Sequence, residues 1–168
     1  MKYLKFLFVL GCAIAISSVS FSQPKYIGSN ACKMCHNKPA KGAQFKQWQE
    51  TTHSKAYSKL DDAGKKNPEC LACHSTAGSV SKGLIATLKV DEGVGCESCH
   101  GPGSMYKSAA VMKNREKALE RGMVIPNEET CKNCHEGKKP EGHPAAKKPW
   151  NFEEFYSQIN HPDPTLKK

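Results

Sequence analysis

The chain has 168 residues, a formal net charge of +9 and nine cysteines, and only 38% of its residues are hydrophobic. This length suits one domain and leaves little room for a second. Because the apolar fraction is low for a packed interior, we expect something other than side chains to supply part of the buried surface. The composition therefore favours one small domain built around a cofactor.

Residues 1–22 have the organisation of a secretory signal peptide. Two lysines precede an apolar run, and small polar residues follow it, so we expect cleavage before Gln23. The run is too short for a comfortable membrane span. Cys12 faintly resembles a lipoprotein cleavage site, but the bulky Leu10 argues against a lipid anchor there. The sequence thus predicts a periplasmic protein whose single domain is residues 23–168.

Four copies of one motif contain eight of the nine cysteines. Each copy is Cys-x-x-Cys-His, and random placement of the cysteines and histidines would give about 0.02 copies. Two thiols at this spacing bond covalently to the vinyl groups of a haem, and the adjacent imidazole becomes the proximal ligand of the iron. We therefore predict four covalently attached haem c groups. The attachment cysteines are Cys32, Cys35, Cys70, Cys73, Cys96, Cys99, Cys131 and Cys134, and the proximal histidines are His36, His74, His100 and His135.

Zinc is the main alternative for these cysteines. The spacing between the second and third cysteine pairs approaches that of a four-thiolate zinc site. A zinc site has no need of a histidine after every pair, whereas haem attachment does, and export agrees with haem assembly outside the cytoplasm. A thiol redox protein would need only one pair. Haem is the interpretation that explains all four copies.

The positive charge has an explanation that does not involve nucleic acid. Each haem brings two propionates, so four haems offset most of the formal charge of the chain. A nucleic-acid-binding protein needs a clustered basic face, and the lysine pairs here are spread along the sequence. We therefore expect no nucleic acid, and so no DNA, as a partner. Docking to an acidic redox protein is a secondary expectation for these lysines.

Hydrophobic spacing and capping residues predict a mostly α-helical fold with a high loop content. Alternation over residues 84–90 adds one short β element. A domain of this size has a radius of gyration of roughly 15 Å, so four haems would lie close together in a compact structure and form much of its core. The predicted helices are residues 40–60, residues 106–121 closed by Gly122, a short helix starting at Asn127 or Thr130, and Phe152–Ile159.

Several segments resemble the multihaem cytochrome c-554 family. The likeness spans residues 26–162, and the glycine-flanked third motif is its most specific part. Members of that family are periplasmic electron carriers, and some work in nitrogen metabolism beside hydroxylamine-oxidising or nitrite-reducing enzymes. The resemblance implies an electron carrier with haems stacked in close pairs. The segments that carry it are residues 26–29, Trp48 with residues 52–56, residues 93–103, and residues 152–155 with His161 and Pro162.

Three histidines remain after the four proximal ones, and each would complete a haem with two imidazole ligands. His53 matches the distal histidine of the resembled family, with a surface position as the alternative. His161 follows an aromatic helix and precedes Pro162, which ends that element. His143 lies in a loop rich in Lys, Pro and Gly, where an exposed residue is the alternative. We predict all three as distal ligands.

One haem is then left without a second histidine, and the sequence places it at the third motif. No histidine occurs between His100 and His135, whereas members of the resembled family often carry one shortly after Gly-Pro-Gly. Met112 is the predicted substitute because a thioether binds haem iron, although packing in a helix core is the alternative. If that face stays open, Tyr106 is placed to donate a hydrogen bond to a bound molecule.

These observations predict a periplasmic tetrahaem c-type cytochrome that carries electrons between redox partner proteins, membrane-associated oxidoreductases among them. The alternative is a haem enzyme that acts on nitric oxide, nitrite or hydroxylamine at one open or weakly ligated haem. The sequence shows no cluster of Lys, Arg and Tyr that frames an anion pocket, which favours the carrier. A structural haem module within a membrane-associated complex is a third possibility.

Overall fold

Short helices joined by long loops make up the described part of the chain, residues 22–144 and 149–164 of a computed structural model. The predicted signal peptide and Cys12 lie outside these residues, apart from Ser22. Within them no helix is long and apolar enough to cross a membrane. The α-helices are α1 (Asn30–His36), α2 (Gln44–Glu50), α3 (Pro68–His74), α4 (Thr76–Ser79), α5 (Cys96–His100), α6 (Ala109–Met112), α7 (Arg115–Glu120), α8 (Glu128–His135) and α9 (Phe152–Ile159).

Each of the four motifs lies on a short helix that ends at its histidine. These helices are α1, α3, α5 and α8. Residues three apart on a helix are neighbours on one face, with roughly 5–6 Å between their Cβ atoms. The helical turn therefore presents both thiols of a motif on the same side, as attachment to one haem requires.

Two predicted helices are confirmed at their boundaries. Helix α9 has the predicted bounds, and Asn151 caps it by accepting a hydrogen bond from the Glu154 amide at 2.9 Å. Helix α8 begins after Asn127, whose side chain accepts from the Thr130 amide at 3.1 Å while Thr130 Oγ1 accepts from the Asn127 amide. This reciprocal capping box satisfies amides that the first turn of a helix leaves free.

The other two predicted helices are interrupted. The segment 40–60 contains only α2 and short 3₁₀ turns, because Thr51 is extended and its hydroxyl donates to the Trp48 carbonyl at 2.7 Å. The segment 106–121 divides into α6 and α7 at Asn114, whose side chain accepts from the Lys117 amide at 3.0 Å and starts a new helix. In both places a side chain that bonds the backbone competes with helix continuation.

The predicted strand at residues 84–90 is wrong. The described residues contain no strand, and this segment forms one isolated parallel bridge between Tyr26 and Ile85. The Tyr26 amide donates to the Leu84 carbonyl at 2.8 Å, and the Ala86 amide donates to the Tyr26 carbonyl at 2.9 Å. A second residue pair would be needed for a strand, and a 3₁₀ turn at Val90–Glu92 ends the extended segment instead.

Polar groups share the small interior with apolar ones. Among the described residues, buried hydrophobic side chains include Ile27, Phe45 and Leu88, and the buried polar set includes Glu97, which is 2% exposed. An interior with so little hydrocarbon agrees with the low apolar fraction of the sequence. The structure thus confirms a mostly helical, loop-rich fold of the kind found in c-type cytochromes.

Candidate haem centres

Three pairs of histidine rings face one another across the fold. His53 and His135 have ring centroids 6.0 Å apart. His74 and His143 are 5.9 Å apart, and His100 and His161 are 6.2 Å apart. A metal that binds two imidazoles on opposite sides through bonds of roughly 2 Å holds their centroids about 6 Å apart. Each pair joins one predicted proximal histidine to one predicted distal histidine, and its spacing fits a haem iron between the rings.

Backbone carbonyls fix the orientation of three of these rings. The Nδ1 atom of His74 lies 2.9 Å from the Ala56 carbonyl, and that of His100 lies 3.1 Å from the Val124 carbonyl. His161 Nδ1 lies 2.6 Å from the Ile159 carbonyl. A carbonyl only accepts, so Nδ1 carries the proton in each ring and Nε2 keeps its lone pair. This is the tautomer that binds a metal through Nε2.

One of the pairs lines a cavity that contains an attachment thiol. Cys131 of the fourth motif lines this cavity together with His53 and His135. Trp150 and Phe155 form part of its wall, with ring centroids 5.8 Å and 5.7 Å from that of His135. An attachment thiol, two opposed imidazoles and aromatic walls are groups that fit a covalently bound haem.

Burial keeps several of these imidazoles neutral. It is the largest cause that lowers the pKa of His36, His53, His100 and His135 below the usual histidine value. The nearby His135 lowers the pKa of His53 further. Only the neutral ring has the lone pair that a metal binds, so burial favours the ligand form of each ring.

Attachment cysteines of different motifs lie beside one another. The neighbouring Cys96 of the third motif raises the pKa of the Cys32 thiol of the first motif, and burial raises it further. Burial raises the pKa of Cys134 in the fourth motif to about 12, with Cys73 of the second motif as the next cause. The Cys134 thiol also lies 4.0 Å from the carbonyl of Ala72, inside the second motif. The first and third motifs are therefore neighbours, as are the second and fourth.

The third and fourth motifs connect these two pairs. Burial raises the pKa of Cys99 to about 11, and Cys131 is the next cause. The third and fourth motifs are therefore neighbours too, and Thr76, just after the second motif, contacts Ser98 of the third at 2.6 Å. All eight cysteines have free thiols in the structure, so each is available for attachment.

Among the described residues, the proximal histidine that pairs with no other histidine ring is His36 of the first motif, whereas the sequence predicts the third motif for the unusual haem. His100 of the third motif faces His161, whereas His36 has no such ring pair among the described residues. His161 approaches from near the end of the chain, and local spacing cannot show that contact. Met112, the predicted substitute, ends α6 and is half-buried, and its role as a ligand stays a prediction.

The segment after the third motif nevertheless lies beside the first motif. The Lys25 amide donates to Ser104 Oγ at 2.7 Å, and Cys32 adds to the effect of burial in raising the pKa of Tyr106. The Tyr106 hydroxyl donates to the carbonyls of His100 and Gly101 at 3.0 and 2.8 Å. Tyr106 therefore holds the backbone, which disfavours the predicted role as donor to a bound molecule.

Sequence analysis missed Gln44, Glu97 and Trp150. Gln44 is 8% exposed, and within the described part of the chain its Oε1 and the Nε1 of Trp150 are buried without a hydrogen-bond partner. Glu97 lies between the two cysteines of the third motif, at a position where the other three motifs have exposed or half-buried residues. Contacts between distant segments bury these side chains, and no local pattern in the sequence predicts their burial.

Comparison with known proteins gives two matches. Residues 31–101, which include the first three motifs and His53, match the family model described as Cytochrome c554 and c-prime. A cytochrome c-554 of Nitrosomonas europaea is 29% identical over 138 residues, an alignment that covers 64% of this chain and 56% of that protein. The chain thus spans little more than half the length of the curated relative it matches. No solved structure matches the chain.

Proposed function

We propose that the chain is a member of the cytochrome c-554 family, which it resembles in sequence, and that it is a periplasmic tetrahaem c-type cytochrome that carries electrons between redox partner proteins. The observation that carries the proposal is the set of three opposed histidine pairs, with ring centroids 5.9–6.2 Å apart. Each haem, when bound, takes one electron from a reduced protein and passes it to an oxidised one. Two imidazoles bind both ferric and ferrous iron, so the ligands do not change during electron transfer.

The protein's own groups keep these ligand sets rigid. The carbonyls of Ala56 and Val124 hold the rings of His74 and His100, and Trp150 stacks against the ring of His135. Ligands that stay in place need little rearrangement when the charge of the site changes. The groups around the four motifs therefore support transfer more than they support binding of a substrate.

Contacts between the motifs support passage of electrons through the molecule. The first motif neighbours the third, the third neighbours the fourth, and the fourth neighbours the second. Met34 of the first motif is 80% exposed, and Cys35 is exposed as well. We propose that redox partners, membrane-associated oxidoreductases among them, exchange electrons at the first motif.

A second candidate function rests on His36. Because no histidine faces it among the described residues, the first haem offers a face on which nitric oxide, nitrite or hydroxylamine would bind. The alternative is therefore a haem enzyme that acts on such a compound at the first motif, with the other three haems as its electron store.

Haem content and turnover test these two functions. Intact-mass measurement should give four haem increments on a polypeptide that begins at Gln23, and fewer haems or bound zinc would contradict both functions. With an artificial one-electron donor, the carrier should be reduced and then reoxidised without sustained consumption of the three nitrogen compounds. Sustained consumption that heat-denatured holoprotein lacks would contradict the carrier and favour the enzyme.

A further inference from the structure

The segment around the first motif carries positive charge and no negative charge. Residues 23–49 contain five lysines and no aspartate or glutamate. Four of these lysines surround the motif, and all four side chains are exposed: Lys33, Lys38, Lys41 and Lys46. Elsewhere in the described part of the chain, Lys65 and Lys132 form ion pairs with acids on their own segments, whereas Lys33, Lys38 and Lys46 form none there. The positive charge of this segment therefore faces solvent.

Local contacts gather these lysines around α1. The Lys38 carbonyl accepts from the Lys41 amide at 3.0 Å, so a tight turn brings Lys41 back beside Lys38. The Nζ atom of Lys33 lies 5.4 Å from the centroid of the Phe45 ring, which places it over the start of α2, next to Lys46. These lysines and the exposed residues between them form one surface, which we call the basic surface. It consists of Lys33, Met34, Cys35, Lys38, Lys41 and Lys46.

Asp163 offsets part of this charge. A Cβ at Gly42 would lie 2.7 Å from the Pro162 carbonyl and 3.0 Å from Cδ of Pro164, so the segment that contains Asp163 packs against the turn after the first motif. Asp163 is half-buried, whereas the four lysines are exposed. The basic surface therefore keeps a net positive charge with this carboxylate beside it.

The basic surface includes an attachment cysteine and an exposed apolar side chain. Cys35 is exposed, whereas Cys32 of the same motif is half-buried, and Met34 between them is 80% exposed. Because Cys35 is bonded to the edge of the haem in the loaded protein, its exposure brings that edge to the protein surface. Methionine is enriched in the cores of protein–protein interfaces, where charged groups form the rim. Lysines around Met34 and Cys35 have this arrangement.

We propose that the basic surface is the docking site of an acidic redox protein, which the four lysines orient over Cys35. The inference rests on the proposed function, because it takes the first motif as a haem site at which a partner protein exchanges electrons. Complementary charge speeds the encounter of two proteins and fixes their orientation. An anionic membrane would also attract the lysines, but it would gain nothing from an exposed attachment cysteine, so Cys35 favours a redox protein.

Stopped-flow reduction of the ferric holoprotein by flavodoxin hydroquinone tests the proposal, because flavodoxin is an acidic one-electron carrier. The flavin loses one electron and becomes the semiquinone, and one ferric haem becomes ferrous. Lys33→Glu with Lys38→Glu should lower the second-order rate constant about tenfold or more at low ionic strength, and salt should remove the difference by screening. Lys59→Glu with Lys66→Glu is the matched control, because these lysines are also exposed but precede the second motif, and its effect should be much smaller.

An uncharged donor separates docking from a change in the haem itself. Neutral lumiflavin semiquinone, generated by a laser flash, should reduce the wild type and both double variants at the same rate, because it is not steered by charge. Slower reduction of the Lys33 and Lys38 variant by lumiflavin would overturn the proposal, since the haem would then have changed. If Lys33→Glu impairs haem loading, Lys38→Glu alone should still slow reduction by flavodoxin.

The other results separate the docking site from the function on which it rests. An unchanged flavodoxin rate in the Lys33 and Lys38 variant, or an equal loss in the control, would contradict the docking site alone. Binding of the wild type but not of this variant to phosphatidylglycerol vesicles, with an unchanged flavodoxin rate, would assign the basic surface to a membrane instead. A first motif without haem in the mass spectrum of its proteolytic peptide would contradict the proposed function, and the docking site with it.

Discussion

Glu97 shows how one side chain organises the region between the first and third motifs. Its carboxylate, 2% exposed, accepts from the amides of Ile27 at 2.9 Å, Gly28 at 2.7 Å and Gly103 at 2.6 Å. Because the residue itself lies inside the third motif, these bonds fasten the segment before the first motif and the turn after the third onto one helix. A buried carboxylate is tolerated here because backbone donors surround it.

Removal of this carboxylate should destabilise the holoprotein. We expect Glu97→Ala to lower the free energy of unfolding by about 3 kcal/mol, since three buried amides lose their acceptor. Glu97→Gln keeps one acceptor oxygen and should lose less. Guanidinium unfolding followed by far-UV circular dichroism measures both, with the exposed Glu116→Ala as the matched control. Equal stability of Glu97→Ala and the control would contradict this role.

At the scale of elements, the turn before α5 locks His53 beside the third motif. Gly93 has φ 70° and ψ −149°, a backbone conformation that is essentially limited to glycine. The Val94 amide donates to the His53 carbonyl at 3.0 Å, and the Trp48 indole donates to the Val94 carbonyl at 2.9 Å. The segment that carries the His53 ring is thus attached to the turn that precedes the third motif.

Substitution of Gly93 should therefore affect both stability and the fourth haem. In Gly93→Ala the new Cβ would lie 2.8 Å from the carbonyls of His53 and Ser54, and the strained backbone costs about 1–3 kcal/mol. We expect a lower midpoint of thermal unfolding and a partly high-spin ferric EPR spectrum, because His53 is displaced from His135. Gly83→Ala is the matched control, since nothing lies within 4 Å of its Cβ. The same changes in Gly83→Ala would contradict the argument.

Across the whole molecule, the histidine pairs predict three low-spin haems and one that differs. Replacing His53, His143 or His161 by Ala should convert one low-spin haem to high-spin in the ferric EPR spectrum, because its iron loses the second imidazole. The number of haems found by intact mass should stay four, since the thioether bonds do not depend on these rings. The same number of low-spin haems in each variant as in the wild type would show that these histidines are not ligands.

Met112→Leu is the control for this series and distinguishes the two assignments of the unusual haem. His161 faces His100 in the structure, so we expect the spin states to be unchanged when Met112 loses its sulfur. A new high-spin signal in this variant would instead indicate that the Met112 sulfur is an iron ligand, as the sequence predicts.

The secondary-structure elements show which features of the fold a sequence pattern predicts correctly. The aromatic spacing of Phe152–Ile159 and the capping residue Asn127 act within one or two turns, and both predictions are confirmed. The long helix predicted over residues 40–60 is wrong, because hydrophobic spacing does not register that Thr51 bonds the backbone and ends α2. The strand predicted over residues 84–90 is wrong because alternation describes one segment, and a strand also requires a paired neighbour.

The sequence by itself determined the chemistry of attachment, because a Cys-x-x-Cys-His motif is complete within five consecutive residues. It also determined that seven histidines cannot supply two ligands to each of four irons. The tertiary structure alone decided which histidines face each other, and hence that His36 is the proximal ring without a histidine opposite among the described residues. It likewise decided the burial of Gln44 and Glu97. The physical reason is that these are contacts between residues distant along the chain, which exist only once the segments have packed together.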